Sequence, residues 1–316
     1  MLLLVNAIHV EAEDIRSFEL VDPEGVDLLP FTAGSHVDVT PPGSPIRQYS
    51  LCNDPAERHR YVLGVLREPG GRGGSRLMHE AVGVGDLLQV SAPRNHFALD
   101  ESADRYLLVA GGIGVTPLLA MAHRLCAMGA EFKLHVCARS PERTPFGAEL
   151  ARHAVAGRVH FHHDGGDPAR GLDVAGLLAD VVPGMHVYCC GPAGLMEAVR
   201  AASAHWPPAR IHFEHFAAPP AAASPATGAD GEFEVEMLST GAVYPVPAQQ
   251  SILSVLLAAG LPVPSSCEAG VCGTCRTRYV AGTPDHRDFI LTDDERADSV
   301  MICVSRAAGG RLVLDL

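Results

Sequence analysis

Lysine is nearly missing from this chain. Its 316 residues hold a single Lys, Lys133, and with 24 Lys and Arg against 37 Asp and Glu the formal charge is −13. A surface that acidic repels phosphate backbones, so nucleic acid is not an expected partner. Long apolar runs are missing as well. No uninterrupted stretch approaches the roughly 20 residues of a membrane helix, and no membrane association is expected. The opening "MLLLVNAIHVEAEDI" has no basic n-region and too short an apolar run for a secretory signal, which makes the cytoplasm the expected compartment. Internal repeats are absent. Cysteine is scarce, nine in all. In a reducing compartment structural disulfides are rare, so clustered thiols point to metal or redox chemistry. What remains, 47% hydrophobic and 19% charged, suits a globular protein of two or three domains.

Three of the nine cysteines crowd into "SSCEAGVCGTCRTRYVAG", Ser265 to Gly282. Cys267, Cys272 and Cys275 are spaced C-x4-C-x2-C, and Cys303 follows after 27 intervening residues. Zinc is one reading, although structural zinc sites usually pair short Cys knuckles. A 2Fe–2S cluster is the preferred one, because this spacing with one distant Cys is the plant-type pattern. Gly270 and Gly273 permit a backbone curled round such a cluster, with small neighbours letting N–H groups reach the sulfides. Cys52, Cys126, Cys137 and Cys189 read as small buried hydrophobes. His160, His162 and His163 raise the thought of a metal, but adjacent strand residues face opposite ways and no His site is expected.

The chain divides by rhythm. Residues 1–100 alternate apolar and polar in short runs cut by Pro and Gly ("SHVDVTPP", "RQYSLCND", "RYVLGVLREPGG"), the pattern of a small antiparallel barrel or sandwich. Residues 101–216 alternate strands such as "RYLLVAGG", "FKLHVCARS" and "MHVYCCGP" with helices such as "TPLLAMAHRLCAMGA", "FGAELARHAVAG", "DVAGLLADV" and "AGLMEAVRAASAHW", which implies a parallel α/β sheet. Residues 217–231, "AAPPAAASPATGADG", are too poor in large apolar side chains to form a core and read as a linker. Residues 232–316 open with a hairpin and a helix and then carry the cysteines.

Two Gly-rich strand ends stand out in the α/β block. "AGGIGVTP" (Ala110–Pro117) lets backbone N–H groups approach a phosphate at a helix start, or is simply a tight turn. "CCGP" (Cys189–Pro192) ends a later strand on the same carboxyl edge, where such sheets bind ligands. In the barrel block, Gly73, Gly74 and Ser75 of "GGRGGSRLMHEA" offer N–H groups and a hydroxyl to an anion, or form a capped flexible loop.

In this order, "RQYSLCND", "RGGSRLMHE", "GGIGVTPLLAMA", "VYCCGPAGLM" and "CEAGVCGTC" resemble the phthalate dioxygenase reductase and vanillate demethylase reductase family over essentially the whole chain. The resemblance implies a multi-domain fold: an antiparallel Greek-key β-barrel for the flavin, a ferredoxin-reductase-like α/β NAD domain, and a C-terminal β-grasp ferredoxin. It also implies electron transfer from NADH through FMN and a 2Fe–2S cluster to a Rieske-type oxygenase acting on aromatic compounds. By the same resemblance Arg47, Tyr49 and Ser50 hold the flavin, and Arg72, Gly73, Gly74 and Ser75 its phosphate. Thr116 approaches the flavin and the nicotinamide from the glycine turn, and Gly112, Gly114, Ala138, Arg139, Ser140, Cys190 and Pro192 line the dinucleotide, with hydride transfer near Ser50, Thr116 and Cys190. Phe216 resembles the aromatic that covers the flavin, a buried strand position being the alternative. Cys267, Cys272, Cys275 and Cys303 are then the cluster ligands.

A flavin can stand between a two-electron donor and a one-electron carrier, so no general acid, triad or catalytic metal is expected. NADH is the expected coenzyme, because "VHFHHDGGD" offers Asp164 and Asp167 but no Arg or Lys near the ribose. From Glu232 onward 11 Asp and Glu face 6 Arg. That imbalance predicts a transient, charge-steered complex with a basic patch on the oxygenase, Arg276 and Arg278 being read as solvated strand residues, cluster-tuning groups or partner contacts. An electron-transfer subunit without its own NADH turnover is the alternative. A self-contained monooxygenase is disfavoured, since nothing resembles a substrate-oxidising metal site.

Overall fold

The computed structural model describes residues 1–41, 43, 46–70, 73–152, 156–216 and 231–316. Arg72 and linker residues 217–230 lie outside them. The chain forms two compact units, Met1–Glu214 and His215–Leu316.

The first unit begins with a barrel. Its strands are β1 (Leu2–Ala12), β2 (Ile15–Val21), β3 (Ser35–Thr40), β4 (Arg47–Ser50), β5 (Tyr61–Leu66), β6 (Leu87–Val90) and β7 (Arg94–Asn95), with helix α1 (Gly74–Glu80) after β5. The pairing order β4-β3-β6-β1-β2-β5 is antiparallel throughout, and a bridge between Leu51 and Leu63 brings its two ends together. Alternation supplies the core: Leu3, Val5, Phe18, Leu20, Val37, Val39, Leu63 and Val65 point inward.

The same unit continues with β8 (Arg105–Gly111), α2 (Val115–Ala127), β9 (Glu131–Ala138), α3 (Gly147–Arg152), β10 (Val159–His163), α4 (Val174–Leu177), β11 (Met185–Cys190), α5 (Ala193–Ala202) and β12 (Ile211–Glu214). The strands run parallel in the order β10-β9-β8-β11-β12. Central β8 is buried from Tyr106 onward, as a parallel strand covered on both faces must be. Tyr106, Leu108 and Ala110 pack with α2, while Leu107 and Val109 pack with Val174, Met196 and Val199. Helix α4 is a single turn, shorter than "DVAGLLADV" suggests, because Gly176 and two β-branched residues before Pro183 give it little propensity.

The second unit has β13 (Phe233–Met237), β14 (Val243–Val246), α6 (Ile252–Ala258), β15 (Arg276–Ala281), β16 (Pro284–Asp285), α7 (Asp293–Arg296), β17 (Ser299–Met301), β18 (Arg306–Ala307) and β19 (Arg311–Leu314). Its sheet order is β14-β13-β19-β15-β17, with β13 and β19 parallel and Ile252, Leu253 and Leu256 of α6 in its core. Ser251 starts α6 by accepting the Ser254 N–H at 3.1 Å. A reciprocal Thr292/Glu295 capping box starts α7.

Candidate functional site

The first-unit site assembles at the carboxyl edge of the parallel sheet. A Cβ on Gly114 would come within 2.2 Å of the Cys190 carbonyl oxygen, and one on Gly111 within 2.5 Å of Pro192 Cδ. The glycine turn after β8 and the strand end after β11 therefore touch, backbone to backbone. Gly112 turns the chain with φ +52, and Thr116, buried at the start of α2, donates from Oγ1 to the Ile113 carbonyl at 2.9 Å. Ala138, Arg139 and Ser140 leave the neighbouring strand end. The next turn folds against them, Asp164 N–H donating to Ala138 O at 3.3 Å and Gly165 N–H to Arg139 O at 2.9 Å. The Cys190 thiol is buried, which pushes its pKa well above the usual thiol range, so it stays neutral.

The barrel meets this edge through β5. A Cβ on Gly64 would lie 2.6 Å from Thr116 Cγ2 and 3.1 Å from Phe146 Cε2. Gly64 was not among the expected site residues. A glycine inside a strand run is the signal that marks such a close approach. Next to β5, β4 sets Ser50 opposite His36 and Tyr49 opposite Val37. Ser50 is buried, and the Tyr49 hydroxyl is buried without a hydrogen-bond partner, burial raising its pKa. A hydroxyl in that position awaits a partner that the described residues do not supply.

The anion loop packs against the same strand. A Cβ on Gly74 would fall 2.6 Å from Arg47 Cγ and Nε, and Gly73 holds φ +87. Ser75 Oγ accepts the Glu68 N–H at 3.1 Å, which fixes the loop while leaving the hydroxyl proton available. Arg47, Gly73, Gly74 and Ser75 thus come together. Phe216 differs from the strand reading: β12 ends at Glu214, and Phe216 lies beyond it, exposed and in the second unit.

In the second unit, the pairing of Arg276 with Met301 between β15 and β17 closes the long gap between Cys275 and Cys303. The Cys272 thiol has that of Cys267 as a hydrogen-bond partner, and the Cys303 thiol has those of Cys267 and Cys275. Cys272, Cys275 and Cys303 are buried and Cys267 is half-buried. Glu268, Gly270 and Gly273 adopt φ of +54, +71 and +75, curling the loop so that Ala269 N–H reaches Cys267 Sγ at 3.3 Å. Among the described residues no group of three or more His, Cys, Asp or Glu is set to hold one metal ion. The thiol contacts run Cys272–Cys267–Cys303–Cys275, which brings together four sulfur donors, the set that a two-iron cluster takes.

Arg276 pairs with Glu295 at 2.6 Å, and Arg278 lies 3.7 Å from Asp298 and 3.8 Å from Asp315. Elsewhere, His160 and His162, two apart, share a face with His135, whose ring stacks on both at 5.0 and 5.1 Å. Among the described residues no helix is long and apolar enough to cross a membrane.

Residues 235–308 match the family model of the 2Fe-2S iron-sulfur cluster binding domain. The chain is 47% identical to phthalate dioxygenase reductase of Burkholderia cepacia over 306 residues, 96% of this chain and 94% of that protein. It is 48% identical to a vanillate O-demethylase oxidoreductase of Pseudomonas sp. (strain HR199 / DSM 7063) over 318 residues, 99% of each. A solved structure of phthalate dioxygenase reductase, described as modular for electron transfer from pyridine nucleotides to [2Fe-2S], superposes with TM-score 0.76 at 45% identity, covering 100% of this chain and 98% of that one. The three larger sheets accordingly belong to a flavin-reductase barrel, an α/β nucleotide domain and a C-terminal ferredoxin domain, and the chain belongs to the phthalate dioxygenase reductase and vanillate O-demethylase oxidoreductase family of iron–sulfur oxidoreductases.

Proposed function

We propose that this chain is an NADH-dependent reductase that passes electrons through FMN and a 2Fe–2S cluster to a Rieske-type oxygenase that oxidises an aromatic compound. The observation that carries the reading is the junction in the first unit, where Gly64 of the barrel meets Thr116 beside the touching glycine turn and Cys190 strand end. When bound, the flavin accepts a hydride and releases electrons singly, and the cluster carries one at a time.

The residues then divide the work. The Gly112–Gly114 turn and the Cys190–Pro192 strand end, with Ala138, Arg139 and Ser140, hold the dinucleotide on the carboxyl edge. Thr116 and Ser50 border the place where nicotinamide and flavin ring meet, and the buried Tyr49 hydroxyl finds its partner on the flavin. Arg47, Gly73, Gly74 and Ser75 form a cradle suited to a terminal phosphate, which favours FMN over FAD; Arg72 joins them in the same loop. Cys267, Cys272, Cys275 and Cys303 hold the cluster. In this reading the domains are 1–100, 101–216 and 232–316 with a linker between the last two, and the protein works in the cytoplasm.

The carboxylates paired with Arg276 and Arg278 leave no net basic patch at the start of β15, so the partner surface for an acidic ferredoxin domain is basic and the complex transient. Steady-state reduction of a cytochrome or dye by NADH with the isolated chain tests the function. Turnover without any partner supports it. Absence of turnover in a chain replete with flavin and iron favours an electron-transfer subunit served by another dehydrogenase.

A further inference from the structure

Behind the cysteine loop lies a buried carboxylate with a half-buried guanidinium beside it, outside the set of ligands and flavin contacts. The Asp288 side chain is fully buried. Its Oδ2 accepts the N–H groups of Leu291 at 2.9 Å and Ile290 at 3.3 Å. Its Oδ1 has no hydrogen-bond partner and lies 3.7 Å from His286 Nδ1, which also has none. Arg296 Nη2 stands 3.6 Å from Oδ2 and donates to the Asp288 carbonyl at 3.2 Å, while Arg296 Nε is buried and unpartnered. A carboxylate so far from water and incompletely satisfied is costly, and its retention calls for a reason.

The reason lies in what the segment touches. A Cβ on Gly270, between Cys267 and Cys272, would fall 3.2 Å from Asp288 Cα. Phe289 N–H donates to the Gly270 carbonyl at 3.1 Å, and Arg287 N–H donates to Ser305 Oγ at 3.2 Å, two residues beyond Cys303. Residues 287–289 therefore lie across both thiol-bearing segments, and Gly270 in turn hydrogen-bonds Cys303 through its backbone.

We propose that Asp288 and Arg296 are positioning residues that fix the cysteine loop and set the reduction potential of the cluster it holds, Asp288 lowering the potential and Arg296 raising it. The proposal rests on the reading of the four cysteines as cluster ligands. An electron entering the cluster adds negative charge, which a buried carboxylate opposes and a guanidinium favours; Asp288, fully buried, is weakly screened, and Arg296, 35% exposed, acts more weakly.

The experiment is an EPR-monitored redox titration of the full chain with its cluster, alongside iron and sulfide analysis. Asp288→Asn keeps an acceptor for the Leu291 N–H, so the loop holds and the equilibrium constant for one-electron reduction of the cluster rises several-fold. Arg296→Gln lowers it. A purely structural role moves both variants the same way, or costs iron without moving the midpoint of what remains, and either result overturns the proposal. Should Asp288→Asn lose its iron, Arg296→Gln decides alone: a midpoint that rises or stays overturns it. Wild-type protein that takes up no iron overturns the ligand reading itself, and this proposal with it.

Discussion

Two glycines of the first unit look alike in the sequence yet meet different neighbours. Alanine at Gly114 would drive Cβ into the Cys190 backbone, 2.2 Å from its oxygen and 2.5 Å from its carbon, a clash with main chain and not with a flexible side chain. Gly114→Ala is expected to lower stability by about 2 kcal/mol and to raise KM for NADH, checked by thermal melts and steady-state kinetics. Alanine at Gly74 would meet the Arg47 side chain, which can swing aside. Gly74→Ala should leave the melting temperature nearly unchanged while weakening flavin retention on gel filtration. The reverse ranking would contradict the roles given to the two loops. Both glycines are legible in the sequence because each sits in a recognisable run. Gly64 is not, because its need for glycine comes from Thr116 and Phe146, more than 50 residues away.

At the scale of the element, pairing between strands creates chemistry that no single strand displays. His135 on β9 and His162 on β10 share a hydrogen bond at 3.0 Å, as do His186 on β11 and His212 on β12 at 3.1 Å. Burial first, then the neighbouring histidines, push His135 down to about 4, and burial with His186 does the same to His212. A histidine whose folded pKa lies below its unfolded value of 6.5 binds its proton more readily in the unfolded chain. Stability is therefore complete above about pH 6.5 and is lost as pH falls towards 4. For His135 the loss is on the order of 3 kcal/mol. Urea midpoints between pH 7.5 and 5 should fall, and less steeply in His135→Gln; an equal slope in both proteins would refute this source.

The turn after β10 carries a second prediction at this scale. Asp164 is hydrogen-bonded through its backbone to Ala138, beside the strand end proposed to hold the ribose. A carboxylate there repels a 2′-phosphate, so kcat/KM should favour NADH over NADPH by about tenfold or more. Asp164→Asn should narrow the gap. Equal efficiency with NADPH in the wild type would remove the role given to this turn.

Across the whole molecule, the order of the motifs made the architecture legible: alternating short strands, then βα units, then a cysteine loop with plant-type spacing. Contacts made only by folding were not legible. The buried Asp288 reads in sequence as one more acidic residue in "DHRDFILTDDE", and Arg276 and Arg278 look like free cations until Glu295, Asp298 and Asp315 fold beside them. With those pairs made, the formal balance of 11 Asp and Glu against 6 Arg from Glu232 onward stays acidic. Reduction of the partner oxygenase should therefore slow as salt rises, since steering by opposite charges is screened within roughly 10 Å at 0.1 M. A flat profile, or a rate that climbs with salt, excludes acidic steering.

On the proposed division of labour, hydride is accepted in Met1–Glu214 and single electrons are carried in His215–Leu316. Stopped-flow mixing of Cys272→Ser with NADH tests it most directly. Cys272 is buried against Cys267, and on the proposed ligand set its replacement removes one of four thiolates, so the cluster is expected to be lost or labile. Flavin bleaching is expected at close to the wild-type rate, together with collapse of electron delivery to an acceptor that needs the cluster. Flavin bleaching that disappears along with the cluster would contradict it.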